Sequence, residues 1–219
     1  MIKIQKFIFN SFQENTFILY NENNECIIID AGCYQAHEED ELVDFIESRE
    51  LKPVRLINTH GHVDHILGVQ FISQKYNLPL EIHSGDLRLV EVSDNYGGMY
   101  GFQVKVPTKI ETNLVDDMEI KFGDSILKLF HVPGHSPGSM AIYAPKENFV
   151  IVGDVLFKGS IGRTDLPGGD YPTLMKSIFN KLLSLDDSVT VFSGHGPETS
   201  IGYEKMSNPF ILDSFETLQ

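Results

Sequence analysis

Seven consecutive residues, Thr59-His60-Gly61-His62-Val63-Asp64-His65, carry three imidazoles and a carboxylate, directly after an apolar, strand-like run, Val54-Arg55-Leu56-Ile57-Asn58. No packing requirement calls for such a cluster, so the fold must end a strand where these groups meet something they bind. Imidazole is the commonest metal ligand in proteins, and a carboxylate is its usual companion for zinc or iron. His60 and His62, two apart in extended backbone, point the same way and can bite one metal. Asp64 and His65, at the turn into the next helix, face a second metal beside it. One histidine alone reads as a surface or core residue; four donors in this window read as a metal site.

Composition bounds what such a site serves. The 219 residues suffice for a large core and are read as one domain, 1–219, since no low-complexity linker divides them. Thirty-one acidic against 17 basic side chains give a formal net charge of −14, a surface that repels phosphate backbones, so no nucleic-acid partner is expected. The two cysteines, Cys26 and Cys33, form no CxxC pair and no disulfide framework, which suits a reducing compartment. The first residues alternate like a strand rather than a signal peptide, and no window approaches the roughly 20 apolar residues of a membrane span. A cytoplasmic protein with no membrane partner is expected.

Periodicity supplies the elements. Ile2–Asn10, Thr16–Tyr20 and Cys26–Asp30 read as a β-meander, with Asn21-Glu22-Asn23-Asn24 as the turn before the third strand. His37–Glu50 has helical spacing, Val54–Asn58 is a strand, Ile66–Tyr76 a second helix, Leu80–His83 a short strand and Asp86–Val92 a helical turn or two. The segment from Ser93 to Pro107, glycine-rich with interleaved aromatics, is expected to be a mobile surface loop of the kind that forms binding lids, or else a packed connection. Lys109–Asn113, Met118–Phe122, Ile126–Val132, Ser139–Ala144, Phe149–Val152 and Val189–Ser193 read as strands, and Pro172–Leu185 as a helix with an early proline. Strand runs followed by helices in each half predict two facing sheets with helices outside.

Three further strand ends carry glycine beside a possible ligand: Pro133-Gly134-His135-Ser136-Pro137-Gly138, Val152-Gly153-Asp154 and Ser193-Gly194-His195-Gly196-Pro197. Each alone is an ordinary turn. Together with the opening cluster, in order and spacing, they resemble the metallo-β-lactamase superfamily over nearly the whole chain. The resemblance implies an αββα four-layer sandwich. It implies that His60, His62 and His135 hold one divalent ion, that Asp64, His65 and His195 hold another, and that Asp154 bridges them. Asp30, in Asp30-Ala31-Gly32, would orient the ligand loop from behind. His37, His83 and His131 are left as structural residues. Zinc is the expected metal, with iron or manganese accepted by the same donors. Such ions lower the pKa of a shared water for attack on a carbonyl, with Asp64 and Asp154 positioning the nucleophile and taking its proton.

The run Gly159 to Asp170, containing Gly162-Arg163-Thr164-Asp165, and the run Gly194 to Lys205, followed by Asn208-Pro209-Phe210, resemble glyoxalase II-like hydrolases of the compact bacterial type. Aspartate at position 154, where many β-lactamases have cysteine or serine, agrees with that branch. The implied reaction is hydrolysis of a small-molecule thioester such as S-lactoylglutathione. Full-length enzymes of that group hold glutathione with a basic helical C-terminal domain. Here 24 residues follow His195, with one basic side chain, Lys205. Tyr96, Tyr100 and Phe102 are therefore expected to form part of the substrate wall. Arg163 is read first as a scaffold whose guanidinium ties backbone carbonyls, and second as a substrate contact.

Other readings use the same residues. A persulfide dioxygenase would place one iron on His60 or His62 with His135 and Asp154. A nuclease or phosphodiesterase is disfavoured by the acidic balance, and a non-catalytic binding protein by the presence of all seven ligands. Monomer and dimer are both open.

Overall fold

The structure, a computed structural model, describes residues 1–217. The first half runs β1 (Lys3–Phe9), β2 (Glu14–Tyr20), β3 (Glu25–Ile29), α1 (Ala36–Ser48), β4 (Lys52–Ile57), α2 (Val63–Ile66), α3 (Val69–Tyr76), β5 (Leu80–His83), α4 (Leu87–Glu91), α5 (Ser93–Gly97) and β6 (Ile110–Leu114). The second half runs β7 (Glu119–Phe122), β8 (Ser125–His131), β9 (Met140–Ala144), β10 (Phe149–Gly153), β11 (Leu156–Phe157), β12 (Ser160–Ile161), α6 (Tyr171–Ser177), β13 (Thr190–Ser193), β14 (Thr199–Ser200), α7 (Ile201–Ser207) and α8 (Pro209–Thr217).

Two six-stranded sheets result, ordered β1-β2-β3-β4-β5-β6 and β14-β13-β10-β9-β8-β7. Alternation along single strands shows why they stack. In β3, Cys26 and Ile28 pack towards α1 and α3, while Ile27 and Ile29 pack towards the other sheet. In β10, Ile151 meets that same inner core, whereas Val150 and Val152 pack against Leu174 of α6 and Ile201 of α7. A strand apolar on both faces needs cover on both, and the Ile27-Ile28-Ile29 run has it. The order is helix, sheet, sheet, helix. The turn between β2 and β3 puts Asn24 at φ 58°, which asparagine tolerates, and the Asn21 side-chain oxygen accepts from the Asn23 and Glu25 amides.

Most predicted elements occur within a few residues of their expected bounds; three differ. The helix expected over 66–76 is two, α2 and α3, broken at Leu67-Gly68. There the Gly68 amide donates to the Ala31 carbonyl, and a Cβ on Gly68 would lie 2.2 Å from Cys33 Sγ, so the chain passes too close to continue one regular helix. The expected loop over 93–107 begins as α5 and a 3-10 turn, Gly98–Tyr100, and ends in irregular backbone. The helix expected over 172–185 is α6 followed by one π-helical turn, Ile178–Leu182. The hairpin β11–β12 and the closing helices α7 and α8 have no counterpart in the periodicity. Cys26 and Cys33 are buried free thiols. No helix among the described residues is long and apolar enough to cross a membrane.

Candidate metal centre

The seven expected donors arrive at one end of the sandwich, five from strand ends or the loops beyond them and two, Asp64 and His65, from the short helix α2. Residues 58–65 follow β4, His135 lies between β8 and β9, Asp154 follows β10, and His195 follows β13. Contacts between the sheets hold these loops together. The Asn15 amide donates to Gly194 O at 2.7 Å, and its Nδ2 donates to Ser193 O and Gly196 O. The Met140 amide donates to Thr59 O at 2.8 Å. Gly153, at φ 52°, lets β10 turn sharply; a Cβ there would lie 2.4 Å from Thr59 Oγ1.

Hydrogen-bond accounting fixes which nitrogen each imidazole presents. Asp30 accepts from the Thr59 amide and from the Thr59 hydroxyl, both at 2.6 Å. The single Thr59 hydroxyl hydrogen is thus used, so His60 Nδ1, 3.1 Å away, donates to Thr59 Oγ1 and leaves its Nε2 as a bare acceptor. His135 Nδ1 lies 2.8 Å from Arg163 O, and His195 Nδ1 lies 3.0 Å from Phe12 O. Carbonyls only accept, so both rings carry hydrogen on Nδ1 and offer Nε2. His65 Nδ1 faces Asp30 Oδ2 at 3.1 Å, again freeing Nε2. His62 is reversed: its Nδ1 lies 2.8 Å from His135 Nε2.

The lone pairs so presented are short of donors. His60 Nε2, His65 Nε2 and Asp154 Oδ1 are buried with no hydrogen-bond partner. Ligand atoms of His60, His62 and His135 lie within 4.8 Å of one another, and so do those of Asp64, His65 and His195. Asp154 faces both groups: Oδ1 is 3.4 Å from His65 Nε2, while Oδ2 is 3.6 Å from His195 Nε2 and 3.8 Å from His135 Nε2. Asp64 Oδ2 is 3.0 Å from His195 Nε2. Buried acceptors without donors, in two adjoining groups with a carboxylate between, fit a pair of divalent cations. Asp30, His60 and His65 also cluster, but the Asp30 oxygens already face Thr59 and His65, so Asp30 orients the others.

Electrostatics agree. Burial, reinforced by neighbouring imidazoles, pushes His60 well below the usual histidine range and His62 down to about 4, so both are neutral near pH 7, the form that ligates. Burial alone would raise the Asp154 pKa, but His65, with His195 and His135, outweighs it and holds the carboxyl well below the usual range. His65 is buried, which opposes its charging, yet Asp64 and Asp154 push it upward; this end of the site favours positive charge.

Two supporting carboxyls escaped sequence reasoning. Asp86, fully buried, accepts from the Gly61 amide at 2.9 Å, the Ser136 hydroxyl at 2.6 Å and the Gly138 amide at 2.6 Å, joining the loops of His60–His62 and His135. Glu14, also fully buried, lies with Oε1 3.7 Å from His65 Nδ1. Its Oε2 is 2.8 Å from Thr16 Oγ1, which is also 2.7 Å from the Asp30 carbonyl. One hydroxyl hydrogen cannot serve two acceptors. A protonated Glu14 satisfies both contacts, and burial raises its pKa in that direction. Glu14→Gln, which keeps a donor, is expected to unfold within about 1 kcal/mol of the parent, and Glu14→Ala to lose about 3 kcal/mol, read by urea titration. Equal losses would contradict the neutral assignment.

A cavity of ≈ 660 Å³ opens over the donors, lined by His62, Asp64, His135, Asp154 and His195 together with Phe12, Tyr96, Tyr100 and Arg163 among others. Tyr96 and Tyr100 therefore lie where expected. Phe102 does not: it is buried behind the wall, against Val63 and Leu67, edge-on to Phe12 and Tyr34. The expected scaffold role of the Arg163 guanidinium is corrected as well. It is exposed and pairs with Asp165 at 2.7 Å through both Nε and Nη2; the backbone carbonyl of Arg163 is what supports His135. His83 and His131 stack on each other with centroids 4.1 Å apart, and His131 Nε2 meets Pro137 O. His37 lies at the start of α1.

The family model described as "Metallo-beta-lactamase superfamily" matches residues 10–195, which contain every donor named above. The chain belongs to that superfamily. Within it, the "Probable metallo-hydrolase YqgX" of Bacillus subtilis is 38% identical over 201 residues, covering 91% of this chain and 92% of that protein. The "Hydroxyacylglutathione hydrolase GloC" of Haemophilus influenzae is 35% identical over 92% of this chain and 94% of its own length. The solved structure of the BLEG-1 B3 metallo-beta-lactamase superposes with a TM-score of 0.87 at 34% identity, covering 95% of this chain and 99% of that one. The layered sandwich is thus the metallo-β-lactamase fold.

Proposed function

We propose that this chain is a metal-dependent hydrolase with a binuclear centre that cleaves a thioester such as S-lactoylglutathione. One observation carries the reading: five imidazoles and two carboxylates, four of the imidazoles hydrogen-bonded from behind and three of the inner acceptors left bare, form two adjoining groups at and beneath the floor of an open cavity. His60, His62 and His135 would hold one ion, Asp64, His65 and His195 the other, with Asp154 shared; zinc suits these donors, and iron or manganese is accepted by them. When bound, the ions supply a lowered water pKa and polarisation of the acyl carbonyl.

The chain's own residues do the remainder. Arg163 O and Phe12 O hold the His135 and His195 rings in their tautomers. Asp64 and Asp154, both facing the cavity, take the proton that water releases as its oxygen bonds to the acyl carbon. The C–S bond then breaks, and the departing thiolate receives that proton. Phe12, Tyr96 and Tyr100 restrict bulk water over the reacting carbonyl. The relative named for hydroxyacylglutathione hydrolysis, 35% identical nearly end to end, supports the thioester.

The test is a kinetic panel of S-lactoylglutathione, unrelated thioesters and a β-lactam, with metal analysis of protein purified without chelator. Thioester cleavage with two metals per chain is expected, and His62→Ala is expected to abolish it while leaving the circular dichroism spectrum unchanged. One iron per chain with oxygen uptake, or hydrolysis confined to the β-lactam, would replace this reading. Equal turnover of unrelated thioesters would remove glutathione preference alone.

A further inference from the structure

The two donor groups are braced by different parts of the chain. Behind His60, His62 and His135 stands Asp86, at the end of the 3-10 turn Ser84–Asp86 that follows β5. Its Oδ2 accepts from the Gly61 amide, between the first two donors, and from the Ser136 hydroxyl, beside the third; its Oδ1 accepts from the Gly138 amide. The Ser136 hydrogen is spent there, so the Ser139 hydroxyl, 2.7 Å away, donates to Ser136 Oγ. One carboxylate thus sets the spacing between a donor loop from each half of the molecule.

Behind Asp64, His65 and His195 stands the turn between β1 and β2. Asn10 Nδ2 donates to Asp64 O at 3.0 Å, while Asn10 Oδ1 accepts from the Phe12 amide at 2.9 Å. His195 Nδ1 meets Phe12 O and Gln13 O at 3.0 and 3.2 Å. Glu14 Oε1 lies 3.7 Å from His65 Nδ1, and Asn15 holds Ser193, Gly194 and Gly196 around His195. Every donor of this group therefore meets residues 10–15. Asp30 serves both groups through Thr59 and His65, and Asp154 lies between them.

Resting on the binuclear reading, we infer that the two ions have separate supports: Asp86 and Ser136 are positioning residues for the ion of His60, His62 and His135, and the turn 10–15 positions the ion of Asp64, His65 and His195. Donors already held in place lose less freedom when an ion arrives, and each support holds one set. Groups without shared supporting contacts respond to substitution separately.

Stepwise Zn(II) affinities of the metal-free chain, measured by competition with a chromophoric chelator, test the division. Co(II) absorption tells the ions apart, with His62→Ala and His195→Ala marking the band of the ion that each leaves intact. Asp86→Asn sets an amide donor against donors and is expected to weaken the ion of His60, His62 and His135 about 10–100-fold. Ser136→Ala, which keeps both amide contacts to Asp86, is expected to weaken it about 3–10-fold, and each variant leaves the other ion within about 3-fold of the parent. Asn15→Ala and Asn10→Gly are expected to give the reverse pattern; glycine suits position 10, where φ is 51°. If Asp86→Asn does not fold, Ser136→Ala decides that side. Equal weakening of both ions, weakening of the opposite ion, or lower melting of the metal-free chain with both affinities unchanged would overturn the inference and leave the binuclear centre standing. A parent chain that takes up one Zn(II) or none would remove that centre and the inference with it.

Discussion

Asp154→Asn is expected to lower kcat/KM for thioester by about 10³-fold or more and to reduce bound metal below two per chain. The carboxylate lies between the two donor groups, its oxygens 3.4 Å from His65 and 3.6 and 3.8 Å from His195 and His135. Asparagine keeps the shape but offers one neutral oxygen and an amide that donates. Set against His65 Nε2, a buried acceptor with no hydrogen-bond partner, that amide would occupy a position a cation should take. The folded core is expected to survive, since asparagine matches aspartate in size and the side chain faces the cavity. Elemental analysis and kinetics on the same preparation decide the matter. Full metal content with lost turnover would make Asp154 a proton carrier only; full content with full turnover would remove it from the centre.

Removing metal is expected to produce the largest stability change. Ions that bind the folded chain alone stabilise it by about 2.7 kcal/mol each when present at a hundred times their Kd, so the pair contributes about 5 kcal/mol. For a chain of this length each kcal/mol moves Tm by about 2–4 °C, so chelation followed by dialysis is expected to lower Tm by roughly 10–20 °C. The physical source is the crowding of unsatisfied acceptors. His60 Nε2, His65 Nε2 and Asp154 Oδ1 have left water without gaining a partner, a cost that a cation offsets. A Tm indifferent to chelator and to restored zinc would mean that the donors stabilise one another without an ion.

Sequence reasoning reached the donors because each follows a strand ending in glycine or sits in the dense 59–65 cluster, where residue type and position coincide. It reached the layers because strand runs followed by helices recur in each half, and the structure shows why, with β3 and β10 alternating between two covered faces. What it missed depends on distant partners. Asp86 meets groups 25, 50 and 52 positions away, and Glu14 meets His65 across another strand. Nothing near Asp86 or Glu14 in the chain marks either as buried. Of the two readings of the segment after Ser93, mobile loop or packed connection, the structure shows the packed one. Its glycines suggest irregular backbone, which the structure has around Phe102, and burial of that ring against Val63 and Leu67 packs the segment down. Arg163 shows the converse: its backbone carbonyl, which no side-chain rule concerns, does the supporting, and its guanidinium pairs with Asp165 at the surface.

The Asn15 bridge has a consequence for biosynthesis. Its amide and side chain reach Ser193, Gly194 and Gly196, nearly the whole length of the chain away. A ribosome must therefore release residues beyond 196 before the β1–β2 hairpin finds its partner. Until then His195 has no Phe12 carbonyl to set its tautomer, and Asp64 and His65 lack their third companion. On the proposed binuclear reading, acquisition of the full complement of ions would follow translation, as the last event of maturation rather than a template for it.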